Sequence, residues 1–196
     1  MKRTFDFIVS LFALIVFSPV LLVVMFFVWI NDFGNPFYIA NRVGKEEKMF
    51  KMYKLRSMIV NADKSGVDST SSNDMRITSI GKLIRKFKID ELSQLINVLL
   101  GDMSLVGPRP NVKIETDLYT KIEKKLLSVR PGITDISSII FSDEGAILAN
   151  SDDPDISYNQ LIRPWKSRLG IFYIERMSFW LDVTLIYWTI ISIISR

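Results

Sequence analysis

One long apolar stretch dominates the beginning of the chain. Phe7 to Ile30 comprises 24 residues, of which only Ser10, Ser18 and Pro19 are not hydrophobic. As a straight helix it would measure about 36 Å at 1.5 Å per residue, which is enough to cross a bilayer. The stretch is too long for a secretory signal peptide, and no small-residue cleavage site follows it. We therefore predict a membrane element.

The residues that flank this element leave two topologies open. Lys2 and Arg3 precede it, and six Lys and Arg residues follow between positions 42 and 56. Basic residues favour the cytoplasmic side, so both flanks are satisfied only if the helix enters the membrane and turns back. Ser18-Pro19 lies near the midpoint, where proline breaks the helical ladder and serine can satisfy a freed carbonyl. On these residues alone, a re-entrant helix and a proline-kinked span are equally favoured.

The next part of the chain predicts a small hairpin and a loop. Pro36 to Ala40 and Met49 to Leu55 have the composition of short strands, joined by a turn around Gly44-Lys45. Asn61 to Met75 is rich in Ser, Asp and Asn, which predicts a mobile loop.

Apolar residues that recur every three or four positions predict three helices after this loop. The first is capped by Thr78 or Ser79, and the second ends at Gly101, which suits a left-handed cap. The third is expected from Asn111 to Ser128, before an acidic, irregular segment from Ser142 to Asp155. Its inner face would consist of Ile114, Leu118, Ile122 and Leu126.

The C-terminal stretch from Ser178 to Ile194 is apolar and aromatic, with Asp182 inside it. Tryptophan and tyrosine favour the headgroup level of a bilayer, which predicts a helix lying on the interface. A buried core helix is the alternative.

Composition narrows the chemistry. The 196 residues include neither histidine nor cysteine, which excludes Ser-His-Asp and Cys-His sites, ordinary zinc sites and disulfides. Any metal would be a hard cation bound through oxygen, with magnesium the first choice. The net charge of +4 permits nucleic acid, phosphorylated ligands or an anionic membrane surface as partners.

Candidate chemistry concentrates between Lys88 and Pro110. Asp90 and Glu91 start a helix, basic residues precede them from Lys82 onward, and a rigid Gly107-Pro108-Arg109-Pro110 turn follows. An acidic pair at a helix start has a structural explanation as a cap that complements the helix dipole. Here, however, the cationic surroundings suit a phosphate or diphosphate. A carboxylate in such a field stays ionised and can accept a phosphoryl group, while magnesium at the second carboxylate screens the charge repulsion.

These motifs resemble the bacterial sugar transferase family, specifically its monotopic phosphoglycosyl transferases. The similarity runs through nearly the whole chain. The residues that carry it are Ser18-Pro19, Pro36-Phe37-Tyr38, Arg42, Gly44, Phe50, Lys54 to Met58, Arg76-Ile77-Thr78, Ile80-Gly81, Asp90 to Pro110, Arg130 to Thr134, Tyr173 and Ser178 to Asp182.

The resemblance implies an α+β fold that is mostly helical and membrane-associated. Residues 1–34 would form a re-entrant membrane helix broken at Ser18-Pro19. Residues 35–196 would form a small cytoplasmic catalytic domain with a short β-hairpin and amphipathic interfacial helices. The protein would be monotopic, on the cytoplasmic face of the bacterial inner membrane and in contact with its anionic lipid.

The resemblance also implies a reaction, which is transfer of a sugar 1-phosphate from a UDP-sugar to polyprenyl (undecaprenyl) phosphate with release of UMP. Such transfers begin glycan or polysaccharide assembly. Asp90 would form a covalent aspartyl phosphosugar intermediate, and Glu91 would help bind Mg²⁺. Substrate-binding residues would be Arg85, Arg109, Lys54, Arg56 and Arg130, while the family role of the aspartate matching Asp182 is not assigned.

The chain departs from the family after Thr134, where Asp135 to Ile140 replaces a Gly and Trp-Ala-Gln-Val-like run. We expect the segment from Asp135 to Gly145 to determine which sugar is used. Two alternatives have other signatures. A membrane-anchored adaptor would tolerate loss of both carboxylates, and a glycosyltransferase would release UDP. No nucleic-acid partner is expected; the oligomeric state is not set by the sequence, and a homodimer is compatible with it.

Overall fold

A computed structural model describes residues 1–62, 74–143, 147–148 and 153–195. Much of the predicted loop from Asn61 to Met75, and residues 144–146 and 149–152 of the predicted acidic segment, therefore lie outside the described residues. The described chain is mostly helical with two small two-stranded sheets, as the α+β prediction requires. The elements are α1 (Lys2–Asp32), β1 (Phe37–Val43), β2 (Met49–Leu55), α2 (Ser79–Lys86), α3 (Ile89–Leu92), α4 (Leu95–Leu100), β3 (Ser104–Val106), α5 (Lys113–Asp117), β4 (Gly132–Thr134), α6 (Ile136–Ile140), α7 (Pro154–Ser157), α8 (Arg163–Glu175) and α9 (Phe179–Ile194), with 3₁₀ helices at Lys45–Glu47 and Glu123–Ser128 and a π-helix at Tyr158–Ile162.

The N-terminal helix α1 has 31 residues, and it is long and apolar enough to cross a membrane. Only 11% of its most apolar 18-residue window is buried against the rest of the protein. Pro19 lies inside a single helical element, and the Ser18 hydroxyl donates to the carbonyl of Ile15 at 2.8 Å. A helix suited to the predicted membrane element is therefore present, whereas its division into two arms at Ser18-Pro19 remains a prediction.

Both ends of α1 contact the rest of the chain. Near its start, the Arg3 guanidinium donates to the carbonyls of Val98 and Leu99 in α4. At its end, Asp32 forms an ion pair with Arg56, which follows directly after β2. Positions 15–20, in the middle of α1, are all exposed.

The hairpin is confirmed. Strands β1 and β2 pair antiparallel with Phe37 opposite Leu55 and Val43 opposite Met49. The first strand begins one residue later than predicted and continues three residues further, because the pairing extends up to the turn that starts at Gly44.

The predicted α2 is also confirmed, and the Thr78 hydroxyl accepts from the amide of Gly81 as its N-cap. A Cβ at Gly81 would lie 1.9 Å from the Ser57 carbonyl oxygen, so only glycine allows this helix to approach so closely. The predicted second helix is divided into α3 and α4. The Ser93 hydroxyl at the division donates to the Asp90 carbonyl, and Gly101 ends α4 in the left-handed conformation as expected.

The prediction of one helix from Asn111 to Ser128 is wrong. The helix α5 ends at Asp117, and a separate 3₁₀ helix begins at Glu123. Thr120 and Glu123 form a reciprocal capping box, in which each side chain accepts from the other's backbone amide. The predicted inner face is mostly outside as a result. Ile114, Leu118 and Ile122 are between 62% and 78% exposed, and only Leu126 is buried.

A parallel pair, β3 and β4, joins the central part of the chain, and its two three-residue strands were not predicted. The main core forms around this pair and α4. The last helix, α9, packs on it through Asp182 and Leu185, while Trp180, Tyr187 and Trp188 are more than half exposed. Thus α9 is not a buried core helix. The core residues are Ala40, Met52, Leu95, Val98, Met103, Leu105, Val106, Tyr173 and Leu185.

Candidate active site

The acidic pair lies in the first turn of α3, as predicted, and it is almost fully buried. Asp90 is 3% exposed and Glu91 is 8% exposed. The residue that precedes α3, Lys88, has φ 56° and ψ 22°, a left-handed conformation that is unusual for a residue with a side chain. This turn redirects the chain between α2 and α3.

Strand β2 brings a lysine to the pair because α3 and α4 bind its edge. The Asn97 side chain accepts from the Tyr53 amide at 2.9 Å and donates to the Lys51 carbonyl at 2.7 Å. The Ser93 hydroxyl donates to the Tyr53 carbonyl. These bonds fix the register of β2 against the helices, and the next residue, Lys54, places its Nζ 3.0 Å from Oδ2 of Asp90.

An arginine reaches the pair from the turn after β3. The Gly107 amide donates to the Thr134 carbonyl, and the Gly132 amide donates to the Pro108 carbonyl. A Cβ at Gly132 would lie 2.1 Å from the Gly107 nitrogen, so the two segments approach closely only because both carry glycine. Prolines on both sides restrict the backbone of Arg109, whose Nη2 donates to Oε1 of Glu91 at 3.1 Å.

Asp90, Glu91, Lys54, Lys88 and Arg109 thus form one group, here called the carboxylate cluster. Nζ of Lys54 and Nζ of Lys88 each lie 3.9 Å from Oε1 of Glu91. Burial alone would raise the pKa of Glu91, but Arg109, Lys88 and Lys54 together lower it to about 2. The Glu91 charge favours the Lys88 ammonium, yet burial and the neighbouring Arg109 and Lys54 lower the pKa of Lys88 below its usual value.

One oxygen of the cluster is unsatisfied. Oδ1 of Asp90 is buried and has no hydrogen-bond partner in the described part of the chain, although Oδ2 of the same carboxylate meets Lys54. Buried carboxylate oxygens ordinarily find partners, and those that do not often mark a site that a ligand completes. This oxygen therefore has no partner of its own among the described residues, and a metal or an electrophile that reached it would supply one.

The cluster fits Mg²⁺ only together with further ligands. Asp90 and Glu91 supply hard carboxylate oxygens of the kind magnesium prefers. No group of three or more acidic side chains that could hold a metal ion occurs among the described residues. Moreover, the two ionised carboxylates and three cations carry a net charge of +1. Water and a phosphorylated substrate could supply the remaining oxygen ligands, and the substrate would also supply negative charge.

The structure brings together some of the predicted site residues and separates others. Lys54 and Arg109 join Asp90 and Glu91, whereas Arg56 pairs with Asp32 at the end of α1. Arg85 lies half-buried in the last turn of α2, and its carbonyl accepts from the Lys88 amide. The remaining predicted positions lie elsewhere: Arg130 donates to the Gly101 carbonyl, Ser18 and Pro19 are in α1, and Asp182 is in α9.

The segment from Asp135 to Gly145 was expected to determine which sugar is used. The side chain of its first residue, Asp135, bonds within the segment and not to the carboxylate cluster. The Asp135 side chain accepts from the amide of Ser138 and the hydroxyl of Ser137, so it caps α6. Helix α6 packs against α8 and α9. Residues 144 and 145 of the segment lie outside the described residues.

The sequence interpretation did not include Lys88 among the site residues. Its position in a basic run gave no reason to prefer it over Lys82 or Lys86. Its place three residues before Glu91 was the available signal, whereas its left-handed backbone conformation has no signature in a lysine.

Known proteins and a family model match this chain along its whole length. The family model described as bacterial sugar transferase covers residues 1–196. The chain is 35% identical over 197 residues to a UDP-N-acetylgalactosamine-undecaprenyl-phosphate N-acetylgalactosaminephosphotransferase of Aeromonas hydrophila, covering 99% of this chain and 44% of that protein. It is 32% identical over 211 residues to an undecaprenyl-phosphate galactose phosphotransferase of Salmonella typhimurium, covering 100% of this chain and 41% of that protein.

A shorter relative matches along almost its full length. The exopolysaccharide production protein PSS of Rhizobium leguminosarum bv. phaseoli is 35% identical over 207 residues, and the alignment covers 100% of this chain and 96% of PSS. The chain thus spans less than half the length of the two phosphotransferases and nearly all of PSS.

Proposed function

This chain belongs to the bacterial sugar transferase family, and on that premise we propose that it is a phosphoglycosyl transferase. It moves a sugar 1-phosphate from a UDP-sugar to undecaprenyl phosphate and releases UMP. The names of two relatives specify undecaprenyl phosphate as acceptor and N-acetylgalactosamine or galactose in the transferred group. These two sugars are accordingly the first candidates for the donor.

The unsatisfied Oδ1 of Asp90 is the observation that carries this proposal. It is a carboxylate oxygen in the first turn of a helix. Lys54 forms an ion pair with Oδ2 of the same carboxylate, and Arg109 forms one with the adjacent Glu91. These cations can stabilise the negative charge of a diphosphate. A carboxylate so placed is suited to act as nucleophile.

The reaction proceeds in two displacements. Oδ1 of Asp90 bonds to the sugar-proximal phosphorus, and the bond from that phosphorus to the bridging oxygen breaks, so that UMP leaves with the bonding electrons. An oxygen of undecaprenyl phosphate then attacks the same phosphorus and displaces the carboxylate. The diphosphate-linked lipid sugar forms, and Asp90 is regenerated. In each step one P–O bond forms and one breaks, so the oxidation state of phosphorus is unchanged and neither step needs an oxidant or a reductant.

Magnesium is part of the proposal as a cofactor bound together with the nucleotide. When bound, Mg²⁺ neutralises charge on the phosphates. Glu91 would help to hold it from the protein side, which leaves Oδ1 of Asp90 free to act as the nucleophile. Because the cluster already carries a net positive charge, we expect Mg²⁺ to bind weakly alone and more tightly with UDP.

We further propose that α1 is re-entrant and that the catalytic part lies on the cytoplasmic face of the bacterial inner membrane. Two observations support this: both ends of α1 contact the rest of the chain, and basic residues flank both ends. The interfacial position of α9 has similar support, because its aromatic side chains are exposed.

The topology can be tested because the chain contains no cysteine. Single cysteines at the exposed positions Thr4 and Lys48 would be treated with a membrane-impermeant thiol reagent in intact cells and in inverted vesicles. A re-entrant helix predicts that both react only in inverted vesicles. Reaction of the two positions from opposite sides would show a spanning helix and overturn this part of the proposal.

The reaction is tested with the purified full-length chain in detergent. UDP-N-acetylgalactosamine, UDP-galactose and other UDP-sugars are supplied with Mg²⁺, first without lipid, and the quenched protein is analysed by mass spectrometry. We expect UMP release and a phosphosugar adduct at Asp90, both abolished in Asp90→Asn. Asp117→Asn, which removes an exposed carboxylate, is the control.

Other outcomes would identify a different reaction. Release of UDP would indicate a glycosyltransferase that moves sugar without phosphate. Product formation with lipid but no adduct at Asp90 would indicate direct displacement and refute the covalent step.

A further inference from the structure

The three cations of the carboxylate cluster, Lys54, Lys88 and Arg109, differ in whether they already form a hydrogen bond to a carboxylate. Lys54 is 3.0 Å from Asp90 and Arg109 is 3.1 Å from Glu91, which are hydrogen-bond distances. Lys88 is 3.9 Å from Glu91, too far for a hydrogen bond. No residue in the described segments accepts a hydrogen bond from its Nζ.

The backbone at Lys88 adds an independent observation. Lys88 has φ 56°, a conformation that glycine adopts readily and that costs free energy in a lysine. A chain that needed only a turn between α2 and α3 would be more stable with glycine here. Unfavourable backbone conformations of this kind concentrate at functional sites, where the side chain they position compensates for their cost.

The chemistry around the Lys88 ammonium indicates what it binds. Its side chain is 25% exposed, compared with 24% for Lys54 and 37% for Arg109, so all three cations are partly accessible. Two further cations lie beside it, and the cluster as a whole has a net positive charge. An ammonium with three N–H donors in such surroundings suits an oxygen of a phosphate group.

We propose that Lys88 is a substrate-binding residue that donates hydrogen bonds to the diphosphate of the nucleotide sugar. The inference rests on the proposed function, because it takes the UDP-sugar as the ligand. It goes beyond it by assigning a phosphate contact to one particular lysine of the basic run. Lys54 and Arg109 orient the two carboxylates in the free protein, whereas Lys88 is the cation available to the incoming anion.

The experiment measures UDP binding with Mg²⁺ by calorimetry, and the Michaelis constant for the UDP-sugar, on the full chain in detergent. Lys88→Met should weaken UDP binding about tenfold and raise KM similarly, since charge-assisted contacts of this type are strong. Lys88→Arg should retain most of the affinity. Lys86→Met removes the same charge from an exposed position two residues away and should bind UDP like the original chain.

Lys88→Gly separates binding from backbone strain. Glycine tolerates the left-handed conformation, so this variant should melt at the same or a higher temperature while losing as much UDP affinity as Lys88→Met. Equal UDP affinity in Lys88→Met and Lys86→Met would overturn the inference, and so would full affinity in Lys88→Gly. If one of these two results is obtained and the unaltered chain still releases UMP, the inference about Lys88 fails but the proposed function stands. If the unaltered chain neither binds UDP nor releases UMP, the inference and the proposed function fail together.

Discussion

Two buried groups of charged residues in the described part of the chain differ in how completely they are satisfied. The carboxylate cluster leaves Oδ1 of Asp90 without a partner. The second group, here called the N-terminal cluster, consists of Lys2, Asp6, Ser104, Tyr173 and Asp182. In it, Nζ of Lys2 is 2.6 Å from Oδ2 of Asp182, and the Tyr173 hydroxyl donates to Oδ1 of the same carboxylate at 2.6 Å.

The rest of the N-terminal cluster is equally well paired. Ser104 donates to Oδ2 of Asp6 at 2.7 Å, and the Leu105 amide lies 3.4 Å from Oδ1. Burial, the hydrogen bond to Asp182 and the charge of Asp6 all raise the pKa of Tyr173, so its hydroxyl stays protonated as a donor. Residue types alone would not separate the two clusters. A satisfied network joins α1, β3, α8 and α9, whereas an incomplete one is open to a ligand.

The strongest test of this contrast is a pair of aspartate substitutions. Asp90→Asn should lower UMP release at least about 10³-fold, because it removes the proposed nucleophile. Its unfolding temperature should fall less than that of Asp182→Asn, because in the described chain only Oδ2 of Asp90 has a partner to lose, whereas both oxygens of Asp182 have one. Asp182→Asn should show the reverse pattern, with a lower unfolding temperature and normal turnover by the fraction that remains folded. Activity assays and thermal unfolding on the same samples check both.

The contrast would fail if both variants behaved alike. Loss of folding in Asp90→Asn would mean that the carboxylate cluster is itself a structural network. Loss of turnover in fully folded Asp182→Asn would mean that the N-terminal cluster acts in catalysis.

The next largest effect is expected at Lys2. Lys2→Met leaves the buried Asp182 carboxylate without its cation, and breaking a buried pair in this way costs about 3 kcal/mol. Denaturant unfolding in detergent would measure the loss. Lys48→Met, at an 81% exposed position, is the control and should cost less than about 0.5 kcal/mol. A loss at Lys2 as small as that of the control would show that the pair does not stabilise the attachment of α1.

Local sequence signals predicted the elements that frame the carboxylate cluster. The hairpin, the Thr78 cap and the Gly101 cap each depend on residues within a few positions, and all three are confirmed. The wrong prediction of one helix from Asn111 to Ser128 also concerns a signal between neighbouring residues. Thr120 and Glu123 have the spacing of a capping box, but the apolar period across Ile114, Leu118 and Ile122 outweighed that signal in the prediction.

The spatial arrangement of the site was less accessible to sequence reasoning. Asp90, Glu91, Lys54 and Arg109 could be selected as candidates, yet nothing local indicates that Arg56 turns to Asp32 while Lys54 turns to Asp90. That division depends on the pairing of α4 with the edge of β2 through Asn97, a contact between residues more than 40 positions apart. Strands of three residues, such as β3 and β4, are likewise too short to show a period.

A smaller effect is expected from acid. The pKa of Glu91 is about 2 in the folded chain and near 4.5 without neighbours, so its ionised form stabilises the fold at neutral pH. That contribution is fully present above the unfolded pKa and is lost as the pH falls towards the folded value. Between pH 6 and pH 3, the free energy of unfolding should therefore fall by about 2 kcal/mol less in Glu91→Gln than in the original chain.

Denaturant unfolding at several pH values between 6 and 3 would check this difference. Glu175→Gln, which removes an exposed carboxylate, is the control and should follow the original chain closely. Parallel curves for Glu91→Gln and the original chain would show that the three cations do not stabilise ionised Glu91, contrary to the electrostatics of the cluster.

The smallest effect on stability is expected at Ser10, a buried residue near the N-terminal cluster whose hydroxyl, unlike those of the cluster, has no partner in the described chain. Ser10 is fully buried one turn after Asp6, and its hydroxyl has no hydrogen-bond partner among the residues that are described. Ser104 is buried to the same extent, but its hydroxyl bonds to Asp6. Removing a hydroxyl without a partner is nearly neutral or stabilising, whereas removing a partner from a buried carboxylate leaves it unsatisfied. Ser10→Ala should therefore change stability by less than about 0.5 kcal/mol, and Ser104→Ala should reduce it by about 2 kcal/mol. If unfolding curves showed equal losses, hydrogen-bond satisfaction would not be what distinguishes these two serines, and the same criterion would lose its force for Asp90.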